Sequence, residues 1–169
     1  MASKAYKLFR YKNGVLYPLY VNADEPVPMQ QVIPASIGTR LTNGKVKARK
    51  LGALAFRPGW HLTEIPLADH IGIRHPDGRL FQAPDTVWCE VEYSDQINYT
   101  KAAAAKGRHS RDQYLKVIPE DGFYWYQTNS NASVNWLIAG SIKVLRILDQ
   151  EEVETICYKA GVTPQPLAK

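Results

Sequence analysis

An Asn-Gly pair at Asn13 and Gly14, set between the apolar runs 6–11 and 15–21, fixes the front of this chain as a β-hairpin. Asn and Gly both accept the positive φ that a tight two-residue connection demands. Turn chemistry continues downstream. Pro26, Pro28 and Pro34 remove backbone donors and forbid helix, so residues 22–35 read as an ordered or semi-extended loop. Asn43-Gly44 marks a second turn, and residues 45–56 read as an extended basic segment leading into Pro58-Gly59.

After Trp60 and Leu62 the run 65–71 predicts a short helix, with Thr63 as N-cap and Pro66 in its first turn. Residues 72–86 read as a loop. From 87 to 93 the chain alternates, with Val87, Cys89, Val91 and Tyr93 on one face and Trp88, Glu90 and Glu92 on the other, the pattern of a half-buried strand. Residues 100–106 form a short Ala-rich helix that Gly107 ends, and 123–127, 135–138 and 142–148 read as strands. Asp149 with Glu152 three residues on forms a capping box for a C-terminal helix. Its apolar face carries Val153, Ile156, Cys157 and Ala160, and Gly161 stops it. Strands dominate and no regular βαβ alternation occurs, which predicts an α+β fold with a mainly antiparallel sheet, short helices and one C-terminal helix. A single domain is expected over 1–162, with a frayed tail over 163–169.

Composition bounds the class. At 169 residues, 45% apolar and 22% charged, the chain can bury a core without metal or disulfide support. The apolar runs are far shorter than the roughly 20 residues of a membrane span. The start, MASKAYKLFR, carries no apolar signal region, and a cytosolic location is expected. Cys89 and Cys157 fall in apolar patterns and read as buried thiols, while His61, His70, His75 and His109 share no ligand spacing with them, so no metal site is expected. The net charge of +5 is concentrated in Lys45, Lys47, Arg49 and Lys50, and in Lys101, Lys106, Arg108, Arg111 and Lys116. Each cluster could meet phosphate, and a solvated loop accounts for either as well.

The stretch RPGWHLTEIPLADHI, residues 57–71, brings an imidazole, a hydroxyl and an aromatic face together beside a tight turn. His61 can donate and accept at once, which suits a ribose hydroxyl or a phosphate, and Thr63 lies two residues away. Arg10 can pair with pyrophosphate oxygens in a bidentate fashion, or serve as a surface charge on a hairpin strand. Trp60, Tyr124, Trp125, Tyr126 and Trp136 offer rings for stacking, though alternating aromatics are also how strand cores are built. Glu90 and Glu92 lie about 7 Å apart on one strand face, a spacing open to acid and base work and equally to a solvated face.

Taken whole, the chain resembles a module of large polyvalent proteins from bacteriophages and mobile elements, through LFRYKNGVLYPLYVNADEPVP at the front and NWLIAGSIKVLRILDQEEV at the back. More distantly it is similar to the ADP-ribosyltransferase fold, a split sheet that clamps NAD between its halves. Leu8-Phe9-Arg10, PGWHLT followed by PLADHI, and VWCEVEY stand in the order of that family's segments. The resemblance implies a bound nucleotide, with Arg10, Trp60, His61, Thr63, Tyr124 and Tyr126 holding NAD, and with His61, Glu90 or Glu92 in catalysis. Where many members carry a glutamate at the start of a late strand, this chain has Asn135 and Trp136, and no acidic residue lies between Asp121 and Asp149. A non-enzymatic module that binds nucleic acid or a host protein through Lys45, Lys47, Arg49, Lys50, Arg108 and Arg111 is the alternative.

Overall fold

The chain crosses itself repeatedly as short strands, and the computed structural model describes residues 3–109, 112–126 and 135–168. The first half runs β1 (Lys4–Lys12), β2 (Val15–Tyr17), β3 (Val32–Pro34), β4 (Val46–Ala48), β5 (Gly52–Leu54) and β6 (Trp60–Thr63). The tiny strands β7 (Ile73–Arg74) and β8 (Leu80–Phe81) follow, then β9 (Thr86–Tyr93), β10 (Ile97–Asn98) and α1 (Thr100–Ala104). Last come β11 (Gly122–Tyr126), β12 (Trp136–Ala139), β13 (Ser141–Ile147) and α2 (Gln150–Lys159). The architecture is α+β and mainly β, as the turn chemistry and short apolar runs predict.

One sheet of nine strands organises the fold in the order β10-β11-β12-β6-β1-β9-β13-β3, with β2 on β1. Its middle is thin. β1 holds β9 through seven residue pairs, from Lys4↔Glu92 to Arg10↔Thr86, and β12 holds β6 through four, whereas β1 meets β6 only at Tyr6↔Thr63. The sheet is therefore two well-laddered halves joined at one pair.

Alternation along the strands sets where each half buries its apolar rows. Phe9, Leu62, Cys89, Val91, Ile142 and Val144 fill one face. Leu8, Trp88 and Leu148 pack on the other, against Val153 and Cys157 of α2. Tyr124, Ile138 and Leu115 pack a third cluster with Ala103 of α1. Both cysteines are free and buried, as expected of small apolar residues. The capping box of α2 is complete: Asp149 accepts from the Glu152 amide at 2.8 Å, and Glu152 accepts from the Asp149 amide at 3.3 Å. Gly161, at φ 79°, ends the helix in a Schellman turn, with Val162 N–H donating to Cys157 C=O at 3.0 Å.

Several expectations are corrected. No helix forms over 65–71, which turns instead. Seven residues that include Pro66 are too few to offset helix nucleation, and Leu67 and Ala68 are drawn under Trp88 instead. The Thr63 hydroxyl donates to Ile65 C=O at 2.6 Å, so it caps nothing. β2 stops at Tyr17 because Pro18 has no amide to extend the ladder. The 45–56 segment folds into the β4–β5 hairpin, and 72–86 contains the β7–β8 hairpin. Within the described part of the expected tail, Gln82 N–H donates to Pro166 C=O at 2.7 Å and Ala168 N–H to Gln82 C=O at 2.8 Å. The Gln165 amide adds bonds to Ile71 C=O and Leu80 C=O at 2.7 and 2.9 Å. Residue 127, expected to close the strand at 123–127, lies outside the described residues.

Candidate functional site

The ladder between β1 and β6 ends after Tyr6↔Thr63, and the gap beyond it opens into a cleft of about 620 Å³. Across that gap the Lys7 ammonium donates to the His61 carbonyl at 3.1 Å, a side chain standing where a backbone amide would continue the sheet. The cleft wall takes Tyr6, Lys7 and Leu8 from β1 and Trp60 and His61 from β6, with Trp88, Tyr126 and Trp136 beyond them. The loops around 18–27, 33–37, 54–59 and 68–72 close its sides.

Gly59 aims β6 into this cleft. Its φ of 126° suits glycine alone, and a Cβ there would stand 2.3 Å from Ile138 Cγ2. Its carbonyl also lies 3.2 Å from His61 Nδ1. A carbonyl can only accept, so Nδ1 carries the proton and Nε2 is left as an acceptor. Burial first, then the Lys7 charge, hold the His61 pKa down to about 4, with Arg57 adding to the effect and the Gly59 bond opposing it. His61 is thus neutral at pH 7. Burial likewise pushes the Lys7 amine down to about 8, against the opposing influence of Cys89. Both side chains keep partial access to solvent, but from the floor of a cleft with protein on most sides.

Aromatic rings frame these groups. Trp60 is anchored by its indole N–H to Ile33 C=O at 3.0 Å, and Lys7 Nζ lies 5.7 Å from its ring centre. Trp136 meets His61 and His70 edge-on, at 5.8 and 5.3 Å between ring centres. The Arg57 guanidinium sits over the rings of Tyr126 and Tyr114 at 5.2 and 5.7 Å. Two buried polar atoms on wall residues, Trp88 Nε1 and Tyr126 Oη, have no hydrogen-bond partner among the described residues, a state that costs free energy until a partner arrives.

Of the residues the sequence singles out, Trp60, His61 and Tyr126 line the cleft. Thr63 lies at the joint with its hydroxyl spent on Ile65 and Tyr6 carbonyls. Tyr124 is core, its hydroxyl accepting from the Leu115 amide at 3.3 Å. Arg10 is not in the lining: it donates to Ala23 C=O at 2.7 Å and lies over the Tyr17 ring. Glu90 and Glu92 are also outside the lining, on the face of β9 that Trp88 shares, and Glu90 faces Lys4 at 3.8 Å and Arg146 at 3.7 Å. Lys45, Lys47 and Lys50 are exposed on the β4–β5 hairpin with Arg49 half-buried, and Arg108 is exposed past α1. Arg111 lies outside the described residues.

Three lining residues escape the sequence reading. Lys7 carried a signal, because in KAYKLFRYK it falls in the apolar row of Ala5, Phe9 and Tyr11. Arg57 stands just before Pro58-Gly59 without any periodic mark. Glu25, the only carboxylate among the described lining residues, sits in the proline-rich loop where no pattern points to it. Among the described residues no group of three His, Cys, Asp or Glu could hold a metal, and no helix is long and apolar enough to cross a membrane. No family model, no curated protein and no solved structure matches the chain.

Proposed function

We propose that the cleft binds NAD or a related nucleotide, and that the chain is a phage-related domain of the ADP-ribosyltransferase type. One observation carries this reading: the sheet is held by a single pair at its middle, and there it gathers a neutral acceptor imidazole, two cations and several aromatic faces. A volume of about 620 Å³ falls in the range of small-molecule sites.

The lining suits the chemistry of a dinucleotide. Lys7 and Arg57 against Glu25 alone leave net positive charge for a pyrophosphate. Trp60, Tyr126 and Trp136 present rings for a nicotinamide or adenine. His61 Nε2 accepts from a ribose hydroxyl, and its proton on Nδ1 stays with Gly59. NAD, when bound, supplies an electrophilic ribose carbon and nicotinamide as leaving group. What the chain adds is orientation and charge, with Glu25 the group able to hold a ribose hydroxyl by accepting from it.

Isothermal titration with NAD tests the reading. Wild type is expected to bind saturably, and His61→Ala at least about tenfold more weakly, the loss of one buried hydrogen bond and its packing, with an unchanged melting temperature showing that the fold is kept. No saturable binding up to millimolar NAD overturns the proposal. Glu25→Gln is expected to bind NAD like wild type while transfer or hydrolysis falls about a hundredfold, as when one preorganised charge-stabilising group is removed. Full turnover in that variant would remove Glu25 from the mechanism.

A further inference from the structure

We propose that a single-stranded nucleic acid docks in a second groove, which continues from the cleft past Phe56. This groove encloses about 480 Å³ and shares Ala55 and Phe56 with the cleft wall. Arg40, Lys45 and Lys116 line it together with the rings of Phe56 and Tyr114. In the sequence Lys45 and Lys116 belong to separate basic clusters, and the fold brings one from each to the same groove.

The charge there is not consumed internally. All three cations are exposed, and among the described residues none has an acidic partner. No carboxylate is among the described residues lining the groove. The Arg40 guanidinium carbon lies over the Phe56 ring, 3.7 Å from its centre, and the guanidinium donates to Gly44 C=O at 3.1 Å. Arg57 bridges the two cavities, lying over Tyr114 on the groove side and Tyr126 on the cleft side.

Cations interleaved with rings select the ligand. A polyphosphate backbone satisfies the charges, and unpaired bases give the rings something to stack on. In a duplex the bases are already stacked and hidden, so Tyr114 would contribute nothing. The inference deepens the reading of the cleft and rests on it for one step: a nucleophilic oxygen or nitrogen of the docked strand bonds to the ribose carbon of NAD as the bond from that carbon to nicotinamide breaks, nicotinamide leaves, and the proton of the nucleophile passes to solvent.

A labelled twelve-residue oligothymidylate, followed by fluorescence anisotropy across a salt series, tests the groove. Neutralising three phosphates predicts a slope of log affinity against log salt near −2, from about 0.7 per phosphate on a single strand. Lys45→Glu with Lys116→Glu is expected to weaken binding at least tenfold and to flatten that slope by about 1.4, two contacts at the same increment. Its NAD isotherm should match wild type, because neither lysine lines the cleft. His61→Ala should do the reverse, losing NAD and keeping the oligonucleotide. A wild type that does not bind the strand, or a double variant that binds it equally well, overturns the groove. So does polyglutamate of equal charge competing as well as the oligonucleotide, which would make the partner an acidic protein. Strand binding without NAD binding would remove the cleft reading and leave the groove as a docking site alone.

Discussion

Trp88→Ala is expected to cost about 3–5 kcal/mol of folding stability, the range for truncating a large buried aromatic. Trp88 is only 2% exposed and packs in one buried cluster with Leu8, Leu67, Ala68, Leu148, Val153 and Cys157. Its carbonyl also accepts from the Leu148 amide at 2.8 Å, one residue before the N-cap of α2. The side chain therefore joins the sheet to its helix, and a cavity there cannot collapse without moving both. For a chain of this length the loss lowers the melting temperature by roughly 10 °C, readable by calorimetry. Trp88→Phe should cost less than half as much, because the indole N–H it removes has no partner among the described residues. Equal losses from the two substitutions would show that the N–H is bonded in solution and that the packing account is wrong.

Trp88 also shows where sequence reasoning reaches its limit. The alternation of residues 87–93 places every side chain of β9 on its correct face. Local alternation cannot reveal that α2, sixty residues later, covers the Trp88 row, so the strand read as half-buried is closed on both sides at that end. Local signals with local causes were legible: the Asn13-Gly14 turn, the Asp149–Glu152 capping box and the Gly161 stop all form. The helix expected over 65–71 failed because its apolar residues serve a distant core. The site followed the same division. His61 and Trp60 were marked by their turn, but the cleft exists because the β1–β6 ladder ends after one pair, and strand divergence leaves no trace in composition. Arg10, Glu90 and Glu92 were attractive by residue type, yet strand parity and the order of the sheet direct them away from that opening. The basic clusters were visible as charge, whereas the meeting of Lys45 with Lys116 depends on tertiary structure alone.

Acid should destabilise the fold earlier than its carboxylates alone dictate, through His61. Its ordinary pKa of 6.5 applies in the unfolded chain, and the folded value is about 4. Between those values the unfolded state binds more protons than the folded one, so stability falls as pH drops through that window. The loss is complete near pH 4, where the folded protein takes up the same proton. A gap of about 2.5 units corresponds to roughly 3 kcal/mol. His70, which burial also holds below its ordinary value, acts in the same direction. The decisive quantity is therefore the difference between wild type and His61→Gln in urea unfolding at pH 7, 5.5 and 4.5. Wild type should lose stability steeply across this range, and the variant should lose about 2.4 kcal/mol less by its lower end. Parallel curves would mean that the imidazole is hydrated and free to charge, which would remove the neutral acceptor on which the nucleotide reading of the cleft depends. A steep wild-type curve that flattens in the variant would tie the same desolvated imidazole to both the stability of the fold and the chemistry of the cleft.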